Sequence, residues 1–253
     1  MDIILYNIFV PILLLIVSYL VGSIPNAIWI GKVFFHKDPR DYGSKNAGGT
    51  NAGRVFGKGI GVLVIFLDAL KVIIPMYVAW AILTKVPMVA GKSLVAPIES
   101  KYLLSDNNYP IQWPVYWITT LGCSLGHCMP IFAKFRGGKN VACFYGIAIG
   151  TSWLFGIVPG LIFLLVLKIK KYVSLASIST SWFSTLLAWV WAILIETGVI
   201  NGNNVWLVNY GPCIECNYVF AICLTFAAGL LTFYHRENIK RILNKTERKI
   251  TWM

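Results

Sequence analysis

Three stretches of this chain gather side chains that can hold an anion or move a proton. The first reads Tyr42-Gly43-Ser44-Lys45-Asn46-Ala47-Gly48-Gly49-Thr50-Asn51-Ala52-Gly53-Arg54. Glycines such as Gly48 and Gly49 let a backbone turn its N–H groups inward and come close to a ligand. Ser44, Asn46, Thr50, Asn51 and Arg54 add neutral and charged donors. Those are the ingredients of a phosphate nest. The alternative is a flexible basic loop resting on lipid headgroups. It is not a nucleotide P-loop, because the G-x-x-x-x-G-K-[ST] spacing is absent.

A second stretch, Gly126-His127, Pro130 and Phe135-Arg136-Gly137-Gly138-Lys139, repeats that chemistry and opens into an apolar helix. Donors there would sit at the positive end of a helix dipole. Taken alone, an ordinary juxtamembrane turn explains it equally well. The third stretch opens Tyr234-His235-Arg236-Glu237-Asn238-Ile239, with Glu247 further on. His235 and Asn238, three residues apart, share one helical face. An amphipathic juxtamembrane helix is the plainer reading of that tail. Asp68 and Lys71, also three apart, fall inside an apolar run. There they are expected to pair, either to fix helix packing or to meet substrate, since lone charges at such depth are costly.

The elements that must position these residues are membrane helices. Residues AVILMFWYC make up 57% of the 253 residues and charged residues only 13%, about half the charge of an average soluble domain. Mean hydropathy is +0.70. In a bilayer such runs must be helices, because only internal hydrogen bonds can satisfy the backbone. About 20 apolar residues span the hydrocarbon core, which predicts spans near 8–30, 60–84, 114–133, 174–197 and 217–234. The first run lacks a basic start and a cleavage site, so it is expected to be a retained helix and not a signal peptide.

The net charge of +12 does not indicate nucleic acid. The basic residues lie in loops between apolar runs, where anionic lipid and topology account for them. Lys32 to Lys58, Lys134 to Lys139 and Arg236 to Lys249 are lysine- and arginine-rich, so the positive-inside rule puts all three stretches in the cytoplasm and the N-terminus outside. The connections 85–113 and 198–216 then face outward. The run 141–167 is interrupted by Gly150, Gly156, Pro159 and Gly160. Lys168, Lys170 and Lys171 return to the cytoplasm only if that run is a hairpin broken near Ser152 to Pro159. The count becomes seven membrane helices in a single polytopic domain, all α, N-terminus out and C-terminus in. A re-entrant loop over 141–167 is the five-crossing alternative. Cys123, Cys128, Cys143 and Cys223 read as packing residues. Cys213 and Cys216 form a CxxC without a second pair, a weak metal signal with a disulfide as the alternative.

The motifs GSKNAGGTNAGR, GHCMPIFAKFRGGKNVA, KYVSLASI and HRENIKR, in this order, together with Gly22-Ser23-Ile24-Pro25, resemble the bacterial PlsY family of membrane glycerol-3-phosphate acyltransferases. The resemblance runs through Lys249. It implies a seven-helix bundle that moves an acyl chain from acyl phosphate to glycerol 3-phosphate, giving lysophosphatidate, with neither acyl-CoA nor a metal or other cofactor. It further implies a bacterial cell membrane location, a cytoplasmic active site and a functional link to an enzyme that makes acyl phosphate.

By the resemblance Ser44, Asn46, Thr50, Asn51 and Arg54 match the first motif, and Gly137, Gly138 and Lys139 the phosphate-binding second. Ser177 matches an inner serine, His235 and Asn238 a catalytic pair, and Glu247 a carboxylate needed for integrity. Two features depart from it: Asn140 stands where the family usually has glycine, and the connection 85–113 is long. Either His235 or the departing phosphate takes the proton from the attacking hydroxyl. A transporter or flippase of a phosphorylated lipid precursor is the alternative function, disfavoured because the donors cluster in loops on one side instead of at the midplane.

Overall fold

A computed structural model describes residues 2–86, 94–95, 113–199 and 217–250, all of them helical or in connections. Cys213, Cys216 and most of the two connections expected outside lie beyond the described residues. The chain divides into two compact units, Met1–Ile147 and Ala148–Met253.

In the first unit α1 (Asp2–Gly22) leads through a bend at Ser23 to Pro25 into α2 (Asn26–Phe35). Proline disfavours helix in the residue before it and has no N–H to continue a ladder, so the break falls here. Next come α3 (Gly49–Phe56), α4 (Lys58–Lys85) and α5 (Ile118–Cys128). The turn between α3 and α4 is made by Gly57 at φ +101°, a region closed to most side chains.

Small residues let these helices touch. Gly122 and Gly126, a G-x-x-x-G pair on α5, lie on α1 so closely that a Cβ at either would strike backbone of Leu15, Tyr19, Gly22 or Ser23. Gly49 and Gly53 on α3 press against Gly61 on α4 in the same way. In lipid, packing of this kind holds helices together, because hydrocarbon gives no hydrophobic drive between them. Ile8, Phe9, Ile12, Val62, Phe66 and Ile74 point outward, as lipid-facing side chains should.

In the second unit α7 (Trp153–Lys170), α8 (Val173–Glu196) and α9 (Tyr218–Tyr234) pack together, and α10 (Arg236–Leu243) leaves α9 at a 57° bend. One face of α8 buries Ser177, Thr180, Ser181, Ser184 and Ala188. Trp182 and Trp189 on α8 donate their indole N–H groups to Thr232 and Thr225 on α9 at 3.0 and 2.9 Å. Phe155 and Phe220 join α7 to α9 with ring centroids 5.3 Å apart.

Among the described residues four helical stretches are long and apolar enough to cross a membrane: Tyr6–Phe35, Lys58–Lys85, Trp153–Lys170 and Val173–Glu196. The bent pair α9–α10 makes a fifth. Four of the expected spans are therefore recognisable within a few residues. The one expected over 114–133 is not a continuous helix. A 3₁₀ turn at Val115–Trp117 runs into α5, whose eleven residues stop at Cys128, two before Pro130.

The interrupted run 141–167 divides between α6 (Val141–Thr151), which crosses the boundary of the units, and α7. The break lies at Ser152, whose side chain accepts the Leu154 N–H at 3.2 Å and so caps α7. Pro159 lies inside α7. Its missing N–H leaves the Phe155 carbonyl without a helical donor, and Ser184 Oγ faces that carbonyl at 3.5 Å.

Candidate active site

In the first unit the 36–48 connection is organised from within by Asn51, 1% exposed. Its Oδ1 accepts the Ser44 N–H at 2.7 Å. Its Nδ2 faces the carbonyls of Pro39, Asn46 and Tyr42 at 2.7, 2.9 and 3.2 Å. Asn46 Oδ1 accepts the Gly48 N–H at 2.8 Å and turns the chain into α3. The expected nest thus separates into two layers. Asn46 and Asn51 face inward and hold the loop, and Gly49 is glycine because Ile65 and Gly61 leave no room for a Cβ. The outward layer is Ser44, Thr50 and Arg54, all exposed. Thr50 and Arg54 are four residues apart on α3 and share a face. The first amides of α3, at Gly49 and Thr50, have no intrahelical acceptor.

Arg40, one of the basic residues between Lys32 and Lys58, ties this connection to the second glycine-rich stretch. It pairs with Asp38 at 2.7 Å and donates to the carbonyls of Ala133 and Arg136 at 2.9 and 3.3 Å. The Arg40 hydrogen bond holds the Asp38 carboxyl below its usual range, outweighing the opposite pull of burial. Directly after Arg136 the chain folds back on the end of α5. Gly137 N–H donates to the Cys128 carbonyl at 3.2 Å and Gly138 N–H to the His127 carbonyl at 3.0 Å.

The amides of Gly137 and Gly138, which by the resemblance match the phosphate-binding motif together with Lys139, donate to the last carbonyls of α5. A Cβ at Gly137 would strike backbone of His127 and Cys128, and one at Gly138 the His127 ring. Lys139 follows, half-buried. Asn140 is buried at φ +63°, and its carbonyl accepts the Phe144 N–H at 2.9 Å as α6 begins. That left-handed conformation explains why glycine is the expected residue here and why asparagine can replace it.

The first unit also holds a buried polar cluster. Asp68 and Lys71 pair at 3.0 Å, as their spacing predicts, with side chains 3% and 6% exposed. Asn26 Nδ2 donates to Asp68 Oδ1 at 2.9 Å, and His127 Nδ1 stands 3.7 Å from that oxygen. Lys71 donates to the Ile24 carbonyl in the α1–α2 bend at 3.0 Å. The pair therefore joins α4 to the start of α2, the α1–α2 bend and the end of α5.

In the second unit His235 occupies the bend between α9 and α10, 4% exposed. Its Nδ1 lies 2.8 Å from the Leu231 carbonyl. A carbonyl only accepts, so this contact is a hydrogen bond in the tautomer that carries its proton on Nδ1. Asn238 donates to Glu247 Oε1 at 2.7 Å. Ser174, at the start of α8, donates to the same oxygen at 2.7 Å, and Arg241 Nε faces Oε2 at 2.7 Å. Burial would raise the Glu247 pKa, but these hydrogen bonds and the Arg241 charge hold it below the ordinary value. Ser177 is buried and donates to the Val173 carbonyl at 2.9 Å. Ser174 escaped sequence reasoning, although it lies three residues before Ser177 on the same face.

The family described as glycerol-3-phosphate acyltransferase matches residues 12–245. Two relatives that carry that name come from Mycoplasmopsis agalactiae and Streptococcus gordonii. The first is 34% identical over 97% of this chain and 96% of its own, the second 33% identical over 95% and 93%. Among solved structures, PlsY (YgiH), an integral membrane glycerol 3-phosphate acyltransferase in its glycerol 3-phosphate form, superposes with a TM-score of 0.70. It is 29% identical, over 95% of this chain and 96% of that one. The same enzyme in its lysophosphatidic acid form gives 0.67.

Proposed function

The chain belongs to the glycerol-3-phosphate acyltransferase family, and we propose that it takes the acyl group from acyl phosphate, forming lysophosphatidate and inorganic phosphate. It is a multi-pass membrane protein of phospholipid synthesis. The observation that carries the reading is the family match over nearly the whole chain, together with the outward row Ser44, Thr50 and Arg54 at the start of α3. Both substrates of the proposed reaction carry phosphate, and two basic glycine-rich connections in the first unit suit that requirement.

In this account Ser44, Thr50, Arg54 and Lys139 hold phosphate and orient the acyl carbonyl. Asn46, Gly48, Gly49, Asn51, Gly137 and Gly138 shape the loops that present them. Phosphate is a good leaving group, so orientation and charge stabilisation supply most of the rate. The glycerol hydroxyl oxygen attacks the acyl carbon while His235 Nε2 takes its proton. The acyl–phosphate C–O bond then breaks and phosphate leaves. Asn238 is held beside His235 by Glu247, Ser177 packs the inner turn of α8, and Asp68 with Lys71 is structural.

The lysine- and arginine-rich connections support a topology of seven membrane helices with the N-terminus outside. The C-terminus and the chemistry then lie on the cytoplasmic face of a bacterial cell membrane. A reaction that makes acyl phosphate must supply the donor. Liposomes containing the protein, given labelled glycerol 3-phosphate and acyl phosphate, should convert the label to a lipid. Accumulation of unreacted label inside the vesicles would mark a transporter and overturn the reading.

A further inference from the structure

Within the buried cluster the His127 side chain faces both the charges and the second glycine-rich connection. On one side of the ring Nδ1 stands 3.7 Å from Asp68 Oδ1. On the other, a Cβ on Gly138 would strike Nε2, so ring and loop backbone are in contact. The ring is 5% exposed. It cannot retreat from the loop, because Asp68 is fixed behind it by Lys71 and Asn26 at 3.0 and 2.9 Å. It cannot slide along α5 either, because Gly126 seats that helix on the backbone of α1. The last carbonyls of α5, from His127 and Cys128, hold the two glycine amides from the same end. Asp68, the imidazole and Gly138 therefore stand in line, one residue short of Lys139.

We propose that His127 is a positioning residue for substrate phosphate: its ring is the rest on which the Gly137–Lys139 loop stands, and it acts on binding through Lys139 without touching substrate. The inference rests on the reading that Lys139 holds phosphate. Loss of a support of this kind weakens ground-state and transition-state binding alike, which raises KM and leaves kcat alone.

The test measures KM for glycerol 3-phosphate and for acyl phosphate, kcat and the melting midpoint of the full chain in detergent. The variants are His127→Ala, Gly138→Ala, the double variant and Lys139→Met as reference. Each single change at 127 or 138 should raise KM for a phosphorylated substrate by about 5- to 20-fold with kcat within about threefold. The double variant should be no worse than the poorer single one, because the vacated ring space accepts the methyl group. Multiplied effects in the double variant, or an unchanged KM in folded His127→Ala, would overturn the proposal. Should His127→Ala fail to accumulate, His127→Asn, which keeps a polar atom toward Asp68, takes its place. If neither accumulates, an unchanged KM in Gly138→Ala decides against it. If Lys139→Met leaves both KM values unchanged, the phosphate role of Lys139 fails instead, a result separate from the behaviour of His127.

Discussion

Asn238 donates to Glu247 across 2.7 Å, and the same carboxylate oxygen accepts from Ser174 at 2.7 Å. One acidic side chain therefore ties α10 to the start of α8 and fixes the residue three positions after His235. Glu247→Gln should lower the thermal midpoint near neutral pH, with a loss of about 1.5–3 kcal/mol for a charge-assisted bond. The pH dependence has a definite sign. The folded carboxyl is held below its ordinary value of 4.5. Its contribution is therefore complete above about 4.5 and is lost as pH falls through the lower folded value. Melting curves of the two proteins should converge on acidification; a constant gap would contradict this.

Asn51 makes a different demand, because its Nδ2 faces three carbonyls. Asn51→Asp keeps the shape but turns a carboxylate oxygen toward Pro39, Tyr42 and Asn46. It should abolish activity at least as fully as Asn51→Ala, and a near-isosteric change that kept wild-type turnover would refute the loop-organising role. Turnover of detergent-purified protein, normalised to the folded fraction, is the measurement.

How much of this could be read in the sequence depended on how local the cause was. The Asp68–Lys71 pair follows from an i, i+3 spacing within one helix. Asn26 and His127, its other neighbours, are brought in by tertiary packing and carry no local signal. Composition shows that the Gly137–Gly138 loop can approach a ligand, but not that its amides also meet the carbonyls at the end of α5. Asn140, a departure from the family pattern, is explained only by its positive φ. Hydropathy located most spans but could not foresee that α5 stops at Cys128. Ser174 and Arg40 stand beside the motif residues, but neither motif nor period marks a hydrogen bond to a distant partner.

Topology is tested by labelling. In an otherwise cysteine-free protein, Lys45→Cys, Lys170→Cys and Lys245→Cys should each react only with reagent supplied from the cytoplasmic side. Labelling from outside at position 170 alone would mean that the run from Val141 to Lys170 crosses once, and the seven-helix arrangement would fail.

The division of labour between charge and proton transfer predicts two kinetic signatures. Lys139→Met should raise KM for a phosphorylated substrate with a smaller change in kcat. His235→Ala should instead lower kcat by about 10²–10⁴-fold, the usual worth of a general base. A much smaller loss in folded His235→Ala, with the pH profile of the wild type, would reject Nε2 as the acceptor and assign the proton to the departing phosphate.

The identity of the acyl donor is tested by one assay. Purified protein is given glycerol 3-phosphate with either acyl phosphate or acyl-CoA of the same chain length, and lysophosphatidate and inorganic phosphate are both measured. Lysophosphatidate should form from acyl phosphate, with one phosphate released per product, and no product should form from acyl-CoA. Comparable turnover with acyl-CoA, or product without phosphate release, would contradict acyl phosphate as the donor.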